Sequence, residues 1–317
     1  MTDERLTVGV DIGGTKVLGG VVDAQGHVLA RARRDTPADD AAKTLDFIAE
    51  VVEELAAIHP VAAVGIGAAG WINESRSTVL FAPNLAWRNE PLRDKLAERV
   101  GLPVVVENDA NAAAWAEFQF GAARDHVESM TMLTIGTGIG GGLVIGGRLI
   151  RGAHGIAAEM GHVRVVPDGH PCGCGRNGCL EQYASGNALV RYAKETARDE
   201  PDRAAILLEL ADGSLDAING PLVTRAAQQG DPAGLAAFAT VAGYLGAGLV
   251  DLAQILDPQV LVVGGGVVEA GELLMVPTQA AYHDQLQARG MLPVATVVAA
   301  SMGNSAGLVG AADLARR

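Results

Sequence analysis

The apolar and polar positions fall into a pattern from the start of the chain. Leu6 to Val10 is a short apolar run that ends at Asp11; I-G-G-T-K follows, and then L-G-G-V-V-D-A-Q-G-H-V-L. This predicts a strand, a glycine turn, a second strand, a turn at Asp23 to Gly26, and a third strand. Met132 to Leu149 repeats the plan, with glycines directly after an apolar strand and a further glycine turn beyond. The repetition reads as an internal duplication of one β-hairpin unit. Between the copies, the spacing predicts a helix over Ala41 to Ile58 and a buried strand over Val61 to Gly67. Pro103 to Glu107 then reads as a strand that hands over to the helical run N-D-A-N-A-A-A-W-A-E-F. Alanine favours helix, and either Asn108 or Asp109 can cap its first turn. Leu235 to Leu256 is a long helical pattern closed by Asp257-Pro258, before a strand from Val260 to Val263 and the glycines 264 to 266.

Composition sharpens this α/β reading. At 317 residues the chain exceeds the size at which one core stops growing, so two domains are expected. Flexible Ser- or Pro-rich tethers are absent, which makes hinges the expected boundaries. Hydrophobic residues reach 49% but aromatics only 4%, and there are 41 glycines. The interior must therefore rest on small aliphatic residues and close backbone approach. A net charge of −13 with scattered basic residues argues against a nucleic-acid partner. Asp3, Glu4 and Arg5 precede the first strand without a signal-like apolar region, and no 18-residue apolar stretch occurs. The expectation is a soluble, cytoplasmic protein with no membrane span and with reduced thiols.

All three cysteines lie in H-P-C-G-C-G-R-N-G-C-L-E, at 172, 174 and 179. Three thiolates plus one imidazole satisfy the tetrahedral preference of Zn²⁺, with either His162 or His170 as the fourth ligand, and the glycines at 173, 175 and 178 let a short loop wrap an ion. Four protein ligands leave no open position, so such an ion is structural. The odd cysteine count speaks against disulfides. The remaining histidines, 27, 59, 126, 154 and 283, read as surface or packing residues.

The glycine turns after strands suggest a nucleotide held by backbone donors, because a residue without Cβ lets the chain approach a polyanion closely. In the first turn, Thr15 adds a hydroxyl and Lys16 a positive charge. Asp11 suits Mg²⁺ held through water rather than phosphate itself. The pattern is neither a Walker A loop nor a Rossmann fingerprint: the run at 136–142 opens a hairpin instead of a helix.

D-I-G-G-T-K at 11–16, E-N-D-A-N at 107–111, I-G-T-G-I-G-G-G-L at 135–143 through E-M-G-H at 159–162, C-G-C-G-R-N-G-C-L-E at 172–181 and L-D-P-Q-V-L-V-V-G-G-G at 256–266 together resemble the ROK family. That family comprises sugar kinases and sugar-responsive repressors with the two-domain actin-like ATPase (ribonuclease H-like) fold. Within it, the sequence looks most like the bacterial ATP-dependent glucokinases. The repressors carry an N-terminal helix-turn-helix, for which the expectation here is no room.

The resemblance implies ATP, Mg²⁺ and a structural Zn²⁺, with transfer of the γ-phosphoryl group to the 6-hydroxyl of D-glucose. Kinases of mannose, fructose or an N-acetylated amino sugar, and a non-catalytic sugar sensor, remain rivals, and ATP against polyphosphate stays open. By the same resemblance Asp109 is the base, and a carboxylate at a helix N-terminus is favoured in its charged form. Asn108, Glu159, His162 and Glu181 are implied hexose ligands. His162 would serve twice, with one ring nitrogen on zinc and the other toward a hydroxyl, which favours it over His170. Asn84 reads equally as a turn residue or a sugar contact. Asp11, Gly13, Gly14, Thr15, Lys16, Gly136, Thr137 and Gly138 are the implied phosphate side, and Gly265, Gly266 and Val267 the adenosine side. The expected domains are 1–108 rejoined by 305–317, and 109–304, with a cleft that closes on sugar and excludes water. The family also implies a homodimer or homotetramer.

Overall fold

In a computed structural model, which describes residues 5–125, 127–287 and 294–317, the chain is a mixed α/β protein with two five-stranded sheets. His126 lies outside the described residues. The chain begins β1 (Thr7–Ile12), β2 (Lys16–Val22), β3 (Val28–Asp35), α1 (Ala41–Ile58) and β4 (Val64–Ala68). A small sheet follows, made of β5 (Trp71–Ile72), β6 (Val79–Phe81) and β7 (Arg88–Glu90), then α2 (Leu92–Val100), β8 (Val104–Asn108) and α3 (Asp109–Gln119). The second half runs β9 (Met130–Ile135), β10 (Ile139–Ile145), β11 (Arg148–Leu149), α4 (Glu181–Ala184), α5 (Gly186–Asp199) and α6 (Ala205–Leu210). It continues through α7 (Gly220–Gln228), α8 (Pro232–Leu256), β12 (Val260–Gly264), α9 (Glu272–Gln287), β13 (Thr296–Ala299) and α10 (Ala306–Arg316).

The sheets have orders β3-β2-β1-β4-β8 and β11-β10-β9-β12-β13. Each places a three-strand meander at one edge and two later strands beyond its first strand, which is the duplication visible in the glycine pattern. In the first sheet β1 pairs antiparallel with β2 and parallel with β4, and β4 pairs parallel with β8. The strand expected over Val61 to Gly67 starts three residues later, because Val61 and Ala62 are still in the approach, where Ala62 N–H donates to the Leu6 carbonyl at 2.9 Å.

Chain contacts divide the protein into two compact units: Met1–Met130 with Gly142–Ala158 and Ser301–Arg317, and Thr131–Gly141 with Glu159–Ala300. Asp109 and α3 fall in the first. The core of that unit is Val8, Val10, Ile12, Ile48, Val52, Ile66 and their neighbours, all fully buried. The scarcity of aromatics is resolved by glycine. α10 lies so close to β1 and β4 that a Cβ on Gly9 would overlap the carbonyl of Leu308, and one on Gly65 that of Ala311. Gly310 meets the Ala112 carbonyl of α3 in the same way. Fully buried Glu117 fixes where α10 begins: it accepts bonds from the N–H groups of Ser301 and Met302 at 2.9 and 2.7 Å, and from that of Ala122 at 2.8 Å.

In the second unit, Asp231 caps α8 by accepting from Gly234 N–H at 2.9 Å. This helix is long and apolar enough by length and composition to cross a membrane, but 61% of its most apolar window is buried inside the chain, packed on α5 and α9. It ends at Asp257, whose left-handed φ of 43° stops the helix just before Pro258.

Candidate active site

In the first unit, the β1–β2 turn closes with Gly13 N–H donating to the Lys16 carbonyl at 3.0 Å, while the Thr36 hydroxyl donates to the Gly13 carbonyl at 2.9 Å. Thr15 is exposed at its tip. Gly14 lies against Asn84: a Cβ there would come within 3.1 Å of the Asn84 Cβ. Arg88 ties the loop that carries Asn84, since its Nη1 donates to the carbonyls of Ala82, Leu85 and Trp87.

Asn108, and not Asp109, caps α3, its Oδ1 accepting from Asn111 N–H at 2.9 Å. Its Nδ2 donates to the Gly70 carbonyl at 3.0 Å and to Asp109 Oδ1 at 3.1 Å. Asp109 is the first helical residue, and its Oδ1 also accepts from Ala110 N–H at 2.9 Å. The helix N-terminus does not prevail over burial here. Burial raises the Asp109 pKa above the ordinary carboxylate value, against the bond from Ala110 that lowers it. Asp11 is pushed up to about 6 by burial and by the charge of Asp109, against the lowering effect of Lys16. Gly307 of α10 presents no side chain to the Asp11 carboxylate, only 3.1 Å from where its Cβ would be. Two carboxylates so coupled with one lysine leave net negative charge, and an oxygen donor set of this kind suits hydrated Mg²⁺.

In the second unit, His162 Nδ1 and Sγ of Cys172, Cys174 and Cys179 all lie within 4.8 Å of one another. A zinc tetrahedron with bonds of ≈2.3 Å to sulfur and ≈2.0 Å to nitrogen has edges of about 3.8 and 3.5 Å. Cys174 Sγ is 3.6 Å from Cys179 Sγ, and Cys172 Sγ is 3.5 Å from His162 Nδ1, so the donors fit. The competing His170 is turned away, its ring 5.4 Å from that of Tyr183. Gly175 and Gly178 hold φ of 85° and 78°, which explains glycine at both, while Gly173 needs neither. Burial opposes ionisation of Cys174, but bonds from Arg176 bring its thiol down to about 6; burial and its sulfur neighbours push Cys179 up to about 12. A cation would release that last proton.

His162 Nε2, on the far side of the ring, is 3.8 Å from Glu159 Oε2. Glu181, at the start of α4, touches the cysteine cage, its Oε1 accepting from Cys172 Sγ at 3.8 Å, and braces the second glycine turn: its Oε2 accepts from Ile139 N–H at 3.0 Å and fills the space a Cβ on Gly138 would need. Gly136 and Thr137 line a cavity of about 780 Å³ together with Gly186, Asn187, Gly266 and Val267. Ser185, Gly186 and Asn187 escaped the sequence reading, although a serine N-cap before a helix was legible there, and Ser185 does accept from Ala188 N–H.

The two glycines after β12 differ. Gly265 has φ of 87° and would drive a Cβ into the backbone of Ile135, whereas a Cβ on Gly266 meets nothing within 4 Å. Gly266→Val should therefore fold normally yet raise the KM for nucleotide at least severalfold. Steady-state kinetics with ATP varied at saturating hexose would check it, an unchanged KM counting against this cavity as the nucleotide site.

Duplicated sheets of this order, each led by a hairpin with a glycine turn, define the actin-like ATPase fold, and the carboxylate-bearing strand-to-helix corner and cysteine cage place the chain among its sugar-kinase-like members. Residues 7–317 match the ROK family model, and the chain belongs to that family. It is 53% identical to the glucokinase of Streptomyces coelicolor over 311 residues, covering 98% of each. The crystal structure of a ROK family glucokinase from Streptomyces griseus in complex with glucose and AMPPNP is similar with a TM-score of 0.90 at 54% identity, covering 98% of this chain and 99% of that one. A ROK hexokinase from Thermus thermophilus gives a TM-score of 0.82 at 37% identity, covering 98% and 97%.

Proposed function

We propose that this protein is an ATP-dependent glucokinase that transfers the γ-phosphoryl group of ATP to the 6-hydroxyl of D-glucose. The observation that carries the reading is the state of Asp109. Two donors fall on its Oδ1, which orients the carboxylate and leaves Oδ2 for a substrate hydroxyl. Its raised pKa makes it a stronger proton acceptor than an exposed aspartate. Glucose as acceptor is supported by the full-length likeness to Streptomyces glucokinases.

Phosphoryl transfer asks for positioning and charge neutralisation more than covalent chemistry. Asp109 takes the hydroxyl proton late, and Asn108, Glu159, His162 and Glu181 accept or donate to the remaining hydroxyls, with Asn84 against the first turn. Gly13, Gly14, Thr15 and Lys16 hold phosphate from one turn, and Gly136, Thr137 and Gly138 from the other. Gly265, Gly266 and Val267 bound the adenosine. Asp11 would hold Mg²⁺ through water, and the ion would neutralise phosphate charge. His162 and the three cysteines would hold Zn²⁺, which when bound would fix the imidazole so that Nε2 keeps its direction. The active form is a homodimer or homotetramer, in the cytoplasm.

A coupled assay over glucose, mannose, fructose and N-acetylmannosamine, with ATP and polyphosphate as donors, tests this directly. Glucose with ATP should give the highest kcat/KM; a better rate with another hexose would replace the acceptor named here. The acid limb provides a second measurement. A carboxylate that must be ionised works above its folded pKa and fails as pH falls through it. With Asp11 raised to about 6 and Asp109 raised as well, kcat/KM at low Mg²⁺ should fall below about pH 6 rather than near 4, and a limb in the ordinary carboxylate range would contradict the coupling.

A further inference from the structure

Glu107, the penultimate residue of β8, is 3% exposed and has no part in the chemistry above. Its two oxygens are divided between two tasks. Oε1 accepts from the backbone N–H of Asn108 and from Asn111 Nδ2, both at 3.2 Å. Oε2 accepts from Arg151 Nε at 2.6 Å and lies 3.6 Å from Arg76 Nε. The first pair of bonds grips the corner where strand becomes helix, and Asp109 sits between the two residues gripped. The second anchors that grip to the segment after β11, where the Arg151 carbonyl in turn accepts from Ala157 N–H at 2.9 Å and closes the loop on itself. Arg76 is held at the left-handed φ of 56°, with its Nη2 donating to the Leu314 carbonyl at 3.1 Å. A large side chain kept in that conformation beside a buried carboxylate is strain retained where the surroundings over-determine it. For stability alone, the same space would be served as well by apolar side chains, since buried ion pairs barely repay their desolvation.

We propose that the Glu107–Arg151 ion pair, backed by Arg76, is a positioning device: it sets the angle at which Asn108 and Asp109 leave β8, and so the aim of Asp109 Oδ2. The inference rests on the reading of Asp109 as base. Glu107 touches no substrate and acts through Asn108, Asn111 and the helix they start.

The test pairs the double variant Glu107→Gln/Arg151→Met, which removes one charge of each sign and leaves Arg76 without its neighbouring carboxylate, with Arg151→Lys, which keeps the charge but loses the Nε donor. In both, kcat per folded molecule should fall, by about 10²-fold in the double variant, because an ångström of misplacement at the reacting group costs that much. KM for hexose and ATP should stay near the wild-type values. A folded double variant with wild-type kcat, or full turnover in Arg151→Lys, would overturn the proposal. So would a kcat loss accounted for entirely by a smaller folded fraction, read by circular dichroism and active-site titration. Should the double variant fail to fold, Arg151→Lys decides. Amide exchange over residues 105–115 is read without turnover: faster exchange at Asn108 to Asn111 supports the device, and unchanged exchange sinks it. A wild-type protein that phosphorylates no hexose would sink the functional reading instead, while the exchange result would still judge the ion pair.

Discussion

Asp109→Asn should abolish almost all phosphoryl transfer while hexose still binds. The asparagine keeps an oxygen where Oδ1 now accepts from Asn108 Nδ2 and Ala110 N–H, so the corner between β8 and α3 remains intact. At the other position it presents an amide, which cannot take up a proton. General-base contributions run to about 10²–10⁴-fold, and kcat should drop by that order, with hexose affinity measured calorimetrically changed by no more than a few-fold. Turnover close to that of the parent would show that the proton leaves by another route. Loss of binding in step with loss of turnover would show that the carboxylate acts on the ground state.

The second large effect should come from the cysteine cage. Cys174→Ser removes one corner of a tetrahedron whose Cys172–His162 edge already matches zinc, and a three-ligand remnant is a poorer and open site. Metal content by mass spectrometry should fall from one zinc per chain toward zero. Hexose affinity should weaken by about 10–100-fold, the size of loss that follows when the groups orienting a metal site are removed. The reason lies in His162, whose Nδ1 faces the sulfurs while Nε2 points to Glu159. Chelation of the parent protein should reproduce both effects. An active, zinc-free variant with undiminished affinity would reduce the cage to a surface ornament.

What was legible in the sequence follows from where the information is local. The hairpins and their repetition could be read because glycine after an apolar run has a backbone meaning by itself, and the zinc set because three ligands sit within eight residues. Choosing between His162 and His170 was beyond spacing, since the choice turns on which ring the fold brings to the sulfurs: His162 reaches them, while His170 lies tilted against Tyr183. Asn108 and Asp109 were equal candidates for the cap until the bond from Asn111 N–H separated them. At Asp109 a sequence shows the helix N-terminus, which favours the carboxylate, but not the burial that raises its pKa against that effect. Gly265 and Gly266 are adjacent and identical in type, yet only the first is required by its surroundings. Arg151 gave no signal at all: its partner Glu107 opens the E-N-D-A-N motif but lies 44 residues away, and nothing local ties the two together.

The docking of α10 has a consequence for how the protein is made. The helix that covers Gly9 and Gly65, Ala306–Arg316, is synthesised long after the strands it covers, Thr7–Ile12 and Val64–Ala68. The nascent chain must carry an uncovered sheet face until that helix has been made, a state that invites chaperone capture and misassociation. A chain cut before Ala306 would leave that face permanently bare, and the seat, cut to the width of a backbone, admits no bulkier substitute.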